Sequence, residues 1–265
     1  MARLLACLLL ALAGPAAALE RVVSLAPSLS EIMLELDAAE LLVGVLDGGE
    51  RPAALAHLPS VGRYGQLELE SLLRLQPELV LLWPDSLGAA QRAQLKRLGI
   101  PLYEAEPHSL DDLATQIAAI GARVGRGPRG RQLAQGFRAR LAEFRRRYRR
   151  EVPLKVFYQI WDKPLYTIGG RQIIGDALRV CGAENVFGDL SLPAPQVSVE
   201  AVLARDPQVI LASEAHLLAA WQAWPQLTAV RLGQLWAVPD RGLERPSLQM
   251  LGATEKLCEQ LAKAR

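Results

Sequence analysis

The chain has 265 residues, 51% of them hydrophobic and 22% charged, with a formal net charge of +2. This balance excludes an intrinsically disordered chain and lacks the basic excess of a nucleic-acid binder. The length suits one large domain or two of moderate size.

Residues 1–18, MARLLACLLLALAGPAAA, combine an early arginine, an apolar run from Leu4 to Leu12 and a small-residue end at Ala16–Ala18. This is the pattern of a secretory leader cleaved after Ala18. The apolar run is too short to span a bilayer, so no membrane insertion is expected. Only six residues precede Cys7, which leaves no room for the apolar core of a lipoprotein leader. Export would leave Cys181 and Cys258 in an oxidising compartment. Pairing them is the simplest arrangement, and two buried free thiols are the alternative.

From residue 21 onward, strand and helix patterns alternate. RVVSLAP (21–27) reads as a strand, SLSEIMLEL (28–36) as a helix capped by Ser28 or Ser30, and LLVGVL (41–46) as the next strand. A short helix around Leu69, Leu72, Leu73 and Leu75 ends at Gln76–Pro77. ELVLLW (78–83) is a continuous apolar run, the mark of a buried parallel strand. AAQRAQLKRLG (89–99) is a helix stopped by Gly99, IPLYEAE (100–106) a strand and LDDLATQIAAIGARVG (110–125) an amphipathic helix. Residues 129–152 carry Leu133, Phe137, Leu141, Phe144 and Tyr148 as one apolar stripe, with arginines on the other faces. This predicts a long connecting helix with a solvated basic face rather than a nucleic-acid or membrane helix. Strands LKVFYQIW (154–161), PQVILA (207–212) and QLWAVP (234–239) follow, with helices at 172–182 and 247–264. Such alternation implies α/β lobes with mostly parallel sheets. The divisions are a leader at 1–18, a first lobe at 19–127, a connecting helix at 128–152 and a second lobe at 153–265.

One passage occurs twice. QLELESLLRLQPELVLL (66–82) and QVSVEAVLARDPQVILA (196–212) align without a gap, 130 positions apart. Gln66 matches Gln196, Glu70 matches Glu200, Pro77 matches Pro207 and Leu81 matches Leu211. A glutamate in a first helical turn suits the helix dipole whatever else it does.

The sequence contains no H-E-x-x-H, G-x-S-x-G or Walker A motif. TIGGR (167–171) lacks dinucleotide-binding spacing. His57, His108 and His216 are scattered, so no metal cluster is read from them. The chain is therefore not read as an enzyme.

Five stretches together resemble the substrate-binding proteins of ABC importers that carry siderophores, heme or vitamin B12. They are RVVSLAPSLSE, LELESLLRLQPELVLLW, VCGAENVFGD (180–189), PQVSVEAVLARDP (195–207) and LERPS (243–247). The likeness covers about residues 19–262 and lies nearest the vitamin B12 branch. It implies a class III periplasmic binding protein, located in the periplasm and monomeric. Ligand would sit in a cleft between two lobes joined by one long helix. The ligand implied is cobalamin or a related corrinoid, carried as cargo with no resident cofactor; a ferric siderophore or heme is the alternative. Family positions lining the cleft fall on Tyr64, Trp83 and Tyr166 and on the loop bearing Arg241, Glu244 and Arg245. Tyr166 is read in a turn-rich loop. Glu70 and Glu200 match the glutamates that dock on arginines of the permease dimer, a contact suited to bidentate carboxylate–guanidinium bonding. The sequence departs from the B12 pattern at Gly48 and Ala194, where aromatic residues are usual, and at Tyr64, where a tryptophan is.

Overall fold

Short apolar runs become the strands of two separate sheets. The computed structural model describes residues 19–48 and 51–265, so the leader at 1–18 and its cleavage after Ala18 lie outside the described residues. The first lobe contains β1 (Val22–Ser24), α1 (Pro27–Glu35), β2 (Leu42–Asp47), β3 (Ser60–Arg63), β4 (Gln66–Leu67), α2 (Leu69–Arg74), β5 (Leu79–Leu82), α3 (Ala89–Arg97), β6 (Leu102–Glu104) and α4 (Leu110–Arg123). Its strand order is β4-β3-β2-β1-β5-β6, parallel except for the β3/β4 hairpin. Next comes α5 (Gly127–Arg147). The second lobe contains β7 (Leu154–Asp162), β8 (Leu165–Thr167), α6 (Ile173–Val180), β9 (Ala183–Asn185), α7 (Val199–Arg205), β10 (Val209–Ala212), α8 (Thr228–Arg231), β11 (Leu235–Ala237) and α9 (Gln249–Leu261). Here the order is β11-β10-β7-β8, with β9 parallel to the first half of β7 and β8 antiparallel to its second half.

Parallel neighbours need crossover helices, and those helices cover the sheet faces. Hence LVLL of β5 and VILA of β10 are buried throughout. The duplicated passage folds the same way in both lobes: α2 leads into β5, and α7 into β10. Gln76 and Asp206, again 130 positions apart, both take left-handed backbone (φ 46° and 39°) just before Pro77 and Pro207. The two copies differ at the helix start. Ser198 Oγ accepts the Ala201 N–H (3.2 Å) as a side-chain cap, whereas Glu68 occupies the matching position without capping.

Several local expectations need correction. Neither Ser28 nor Ser30 caps α1: Pro27 takes its first turn, where a missing N–H costs nothing, and Ala26 is the flanking residue. Ser30 instead donates to Ser24 Oγ (2.9 Å). The connecting helix spans Gly127–Arg147, against the expected 128–152. Its buried stripe runs Gly130, Ala134, Phe137, Leu141 and Phe144, while Leu133 is only partly covered. Close packing explains the small residues. A Cβ on Gly121 of α4 would lie 3.0 Å from Gly130 Cα of α5, so the two helices touch backbone to backbone. Tyr166 lies on strand β8 and not in a loop, because residues 165–167 pair with the end of β7.

The lobes share a core. Leu36, Ile117, Phe137, Ala177 and Leu257, from five different helices or their ends, belong to one buried apolar cluster. Arg140 of α5 forms an ion pair with Glu255 of α9 (2.9 Å), and Arg150 donates to the Leu261 carbonyl (2.7 Å). A Cys181–Cys258 disulfide ties the end of α6 to α9, with Cα atoms 4.6 Å apart. Trp221 is buried on the outer face of the second sheet, edge-on to Phe157, and its Nε1–H donates to Gln159 (2.6 Å).

Candidate functional site

Open parallel sheets leave a crevice beyond the carboxyl ends of their strands. In this protein the two sheets present such ends to one shared cleft of about 390 Å³. The first lobe supplies Tyr64, Trp83, Pro84, Glu106, Pro107 and His108. The second supplies Tyr158, Ile160, Ile168, residues 171–174, Pro193, Ala194, Leu243, Glu244 and Pro246. Trp83 follows β5 and Glu106–His108 follow β6, so each sits where its strand ends.

The walls are mainly apolar and aromatic. Trp83 both packs on the core and faces the cleft. Its loop is pinned: the Trp83 N–H donates to Ser86 Oγ (3.2 Å), and Arg92 holds the Pro84 carbonyl while pairing with Glu104. Tyr64, at the tip of the β3/β4 hairpin, is 67% exposed and forms part of the rim.

The polar groups are few and nearly balanced in charge. Glu244 is pushed above the usual carboxylate range, chiefly by burial, and accepts from Tyr158 Oη at 3.4 Å. Burial and the same glutamate drive the Tyr158 phenol well upward. His108 Nδ1 lies 3.0 Å from the Arg171 carbonyl, and Arg171 Nη2 lies 3.2 Å from His108 Nε2. These distances suit an Nδ1–H tautomer, with Nε2 accepting from the guanidinium. His108 belongs to the first lobe and Arg171 to the second, so the pair bridges the cleft. Glu106 lies 3.8 Å from His108 on the same rim. No cluster of metal-ligating side chains is present among the described residues.

Three sequence-selected residues, Tyr64, Trp83 and Glu244, meet in this cleft; Tyr166, Arg241 and Arg245 are not among its lining residues. Arg241 is exposed and pairs with Glu214. Arg245 pairs with Glu31 of the opposite lobe at 2.9 Å. Tyr166 lies in β8, paired across to Trp161. Ala194 does line the cleft, so the missing aromatic there leaves a small residue in the wall. Gly48 does not line it: a Cβ there would lie 2.9 Å from Pro27 Cγ. His108 and Tyr158 emerge as cleft residues only in three dimensions, although His108, like Trp83, follows the end of a strand.

Glu70 and Glu200 lie in the first turns of α2 and α7, both exposed. The Glu200 carboxyl is held below the usual range by hydrogen bonding to its own backbone N–H and then to Ser198. It therefore stays ionised in neutral solution.

Comparison with known proteins agrees with this geometry. A family profile described as "Periplasmic binding protein" matches residues 22–241. The vitamin B12-binding protein of Vibrio cholerae is 34% identical over 247 residues, covering 91% of this chain and 89% of the relative. The crystal structure of a periplasmic vitamin B12 binding protein of Vibrio cholerae superposes with a TM-score of 0.83 at 34% identity, covering 92% of this chain and 97% of that one. A periplasmic heme binding protein of the same organism shares the fold, with a TM-score of 0.77 at 22% identity, covering 91% and 98% of the two chains. The fold is that of the class III periplasmic binding proteins, α/β with two Rossmann-like lobes. The chain belongs to the periplasmic binding protein family.

Proposed function

We propose that this protein captures cobalamin or a closely related corrinoid in the periplasm and delivers it to an ABC permease. The observation that carries this reading is the cleft wall. A corrinoid is large, flat and amphipathic, with an amide fringe around an apolar ring face. A cleft with Tyr64, Trp83 and isoleucines on its walls and Glu106, His108, Arg171 and Glu244 at its polar points offers matching chemistry. A single lining arginine opposed by two glutamates is poorly suited to a multiply anionic siderophore. Whole-length similarity to vitamin B12-binding proteins supports corrinoid over the other family ligands.

On this reading Tyr64, Trp83 and Glu244 contact the ligand, while Arg241, Arg245 and Tyr166 act around the cleft. Glu70 and Glu200, one per lobe at matched positions, dock on the permease dimer. The protein acts as an exported monomer with a cleaved leader, and cobalamin is its cargo. Capture needs no covalent step. Contacts between the lobes restrict closure to a small motion, and the permease opens the cleft while ATP is hydrolysed elsewhere.

Heme is the second reading. Tyr64 and His108 both reach the cleft, and phenolate and imidazole are axial ligands of heme iron. Titration of intrinsic fluorescence separates the two. The account expects cyanocobalamin to quench Trp83 at stoichiometric concentration and hemin to do so only at large excess. The reverse order would transfer the cleft to heme.

A further inference from the structure

The loop that brings Leu243, Glu244 and Pro246 to the cleft belongs to the second lobe, yet it is anchored on the first. Its residues divide: Leu243, Glu244 and Pro246 line the cleft, while Arg245 and Ser247 turn onto α1. Glu31, 7% exposed, accepts from Ser247 Oγ (3.0 Å) and Gln249 Nε2, and its other oxygen pairs with Arg245 (2.9 Å). One turn on, both Glu35 oxygens accept the Leu248 N–H, at 2.9 and 3.1 Å. Leu248 is the residue flanking α9, and it has no side-chain cap of its own. Two carboxylates of α1 thus hold the start of a helix in the other lobe, Glu35 through the Leu248 N–H and Glu31 through the side chains of Arg245, Ser247 and Gln249. From α5, Arg129 reaches this seam too, donating to the Glu35 carbonyl at 3.2 Å.

We propose that Glu31 and Glu35 are positioning residues for ligand binding: from the first lobe they hold the ligand-facing loop of the second, so that parting the lobes at this seam withdraws Leu243, Glu244 and Pro246 from the ligand. Neither glutamate lines the cleft, so each acts through the loop. The consequence for dynamics is a coupling. Opening the lobes and loosening the ligand's contacts become one event, and release need not wait for a separate loop motion. The proposal rests on the reading of the cleft as a ligand site.

The test compares Glu35→Ala with Glu35→Gln, whose amide oxygen still accepts the Leu248 N–H. Hydrogen exchange at the Leu248 amide reports the cap, and cyanocobalamin affinity and dissociation rate report the loop. Glu35→Ala is expected to speed Leu248 exchange at least tenfold and to weaken cyanocobalamin at least fivefold, mostly through faster dissociation. Glu35→Gln restores both. Unchanged exchange in Glu35→Ala, or fast exchange with unchanged affinity, overturns the proposal. If Glu35→Ala does not fold, Ser247→Ala removes one bond to Glu31, and cyanocobalamin dissociation alone is read: faster dissociation supports the proposal and an unchanged rate overturns it. Failure of the wild type to bind cyanocobalamin would sink the ligand reading and not this one. Spin labels at exposed positions 74 and 231 then decide: a broader inter-lobe distance distribution in Glu35→Ala supports it, and an unchanged one overturns it.

Discussion

Raising the pH from 5 to 8 should destabilise this protein through Glu35. Its carboxyl is pushed up from 4.5 to about 7, with burial the largest cause; the Leu248 N–H pulls the other way, and the neighbouring Glu31 adds to the rise. The folded protein therefore holds a proton that the unfolded chain releases near pH 4.5. Stability falls as pH climbs from 4.5 through about 7, then levels off. A shift of that size corresponds to about 3 kcal/mol, a large share of the ~5–15 kcal/mol typical of a folded protein. Glu35→Gln keeps an acceptor for Leu248 while removing the charge. Against wild type the variant should gain about 3 kcal/mol at pH 8 and under about 1 kcal/mol at pH 5. Urea unfolding of both proteins at the two pH values measures this difference directly. A difference that does not change with pH would refute the reasoning, because it would mean that Glu35 does not titrate between the folded and unfolded states.

Other outcomes follow from the same structure. Charge reversal at both Glu70 and Glu200 should abolish uptake in cells carrying the cognate permease while leaving corrinoid affinity intact; an equal loss of affinity would remove the docking role. Trp83→Ala should weaken the corrinoid at least tenfold, about 1.4 kcal/mol, and an unchanged titration curve would make Trp83 a core residue only. Replacing Cys181 and Cys258 by alanine opens a loop of 77 residues and should cost about 4 kcal/mol in denaturant unfolding. A loss under about 1 kcal/mol would show that the bridge constrains little beyond what α6–α9 packing already does.

Much of the fold could be read along the chain because its signals are local. Apolar runs such as LVLL and VILA, short and each placed just after a proline that ends a helix, read as strands buried on both faces, and Ser198 before Val199 marks a helix start. The duplication, offset by 130 positions, told of two similar lobes before any contact was known. The site was less legible. His108 and Arg171 are 63 positions apart and meet only because two strand ends face each other across the cleft. The pair Glu244–Arg245 looked like one ligand motif. Glu244 closes a short 3-10 turn (Arg241–Glu244) and Arg245 after it is extended, so the two side chains part, Glu244 to the cleft and Arg245 to Glu31. The partner of Arg245, Glu31, lies over 200 residues away along the chain, so no local pattern announces it.

The most direct test of the central claim is calorimetric titration of the purified protein with cyanocobalamin, a corrinoid precursor lacking the lower ligand, and a ferric siderophore. Cyanocobalamin should bind one-to-one with a Kd below about 1 μM. Corrinoids that release no heat while the siderophore binds would contradict it, leaving the fold in place and replacing the ligand.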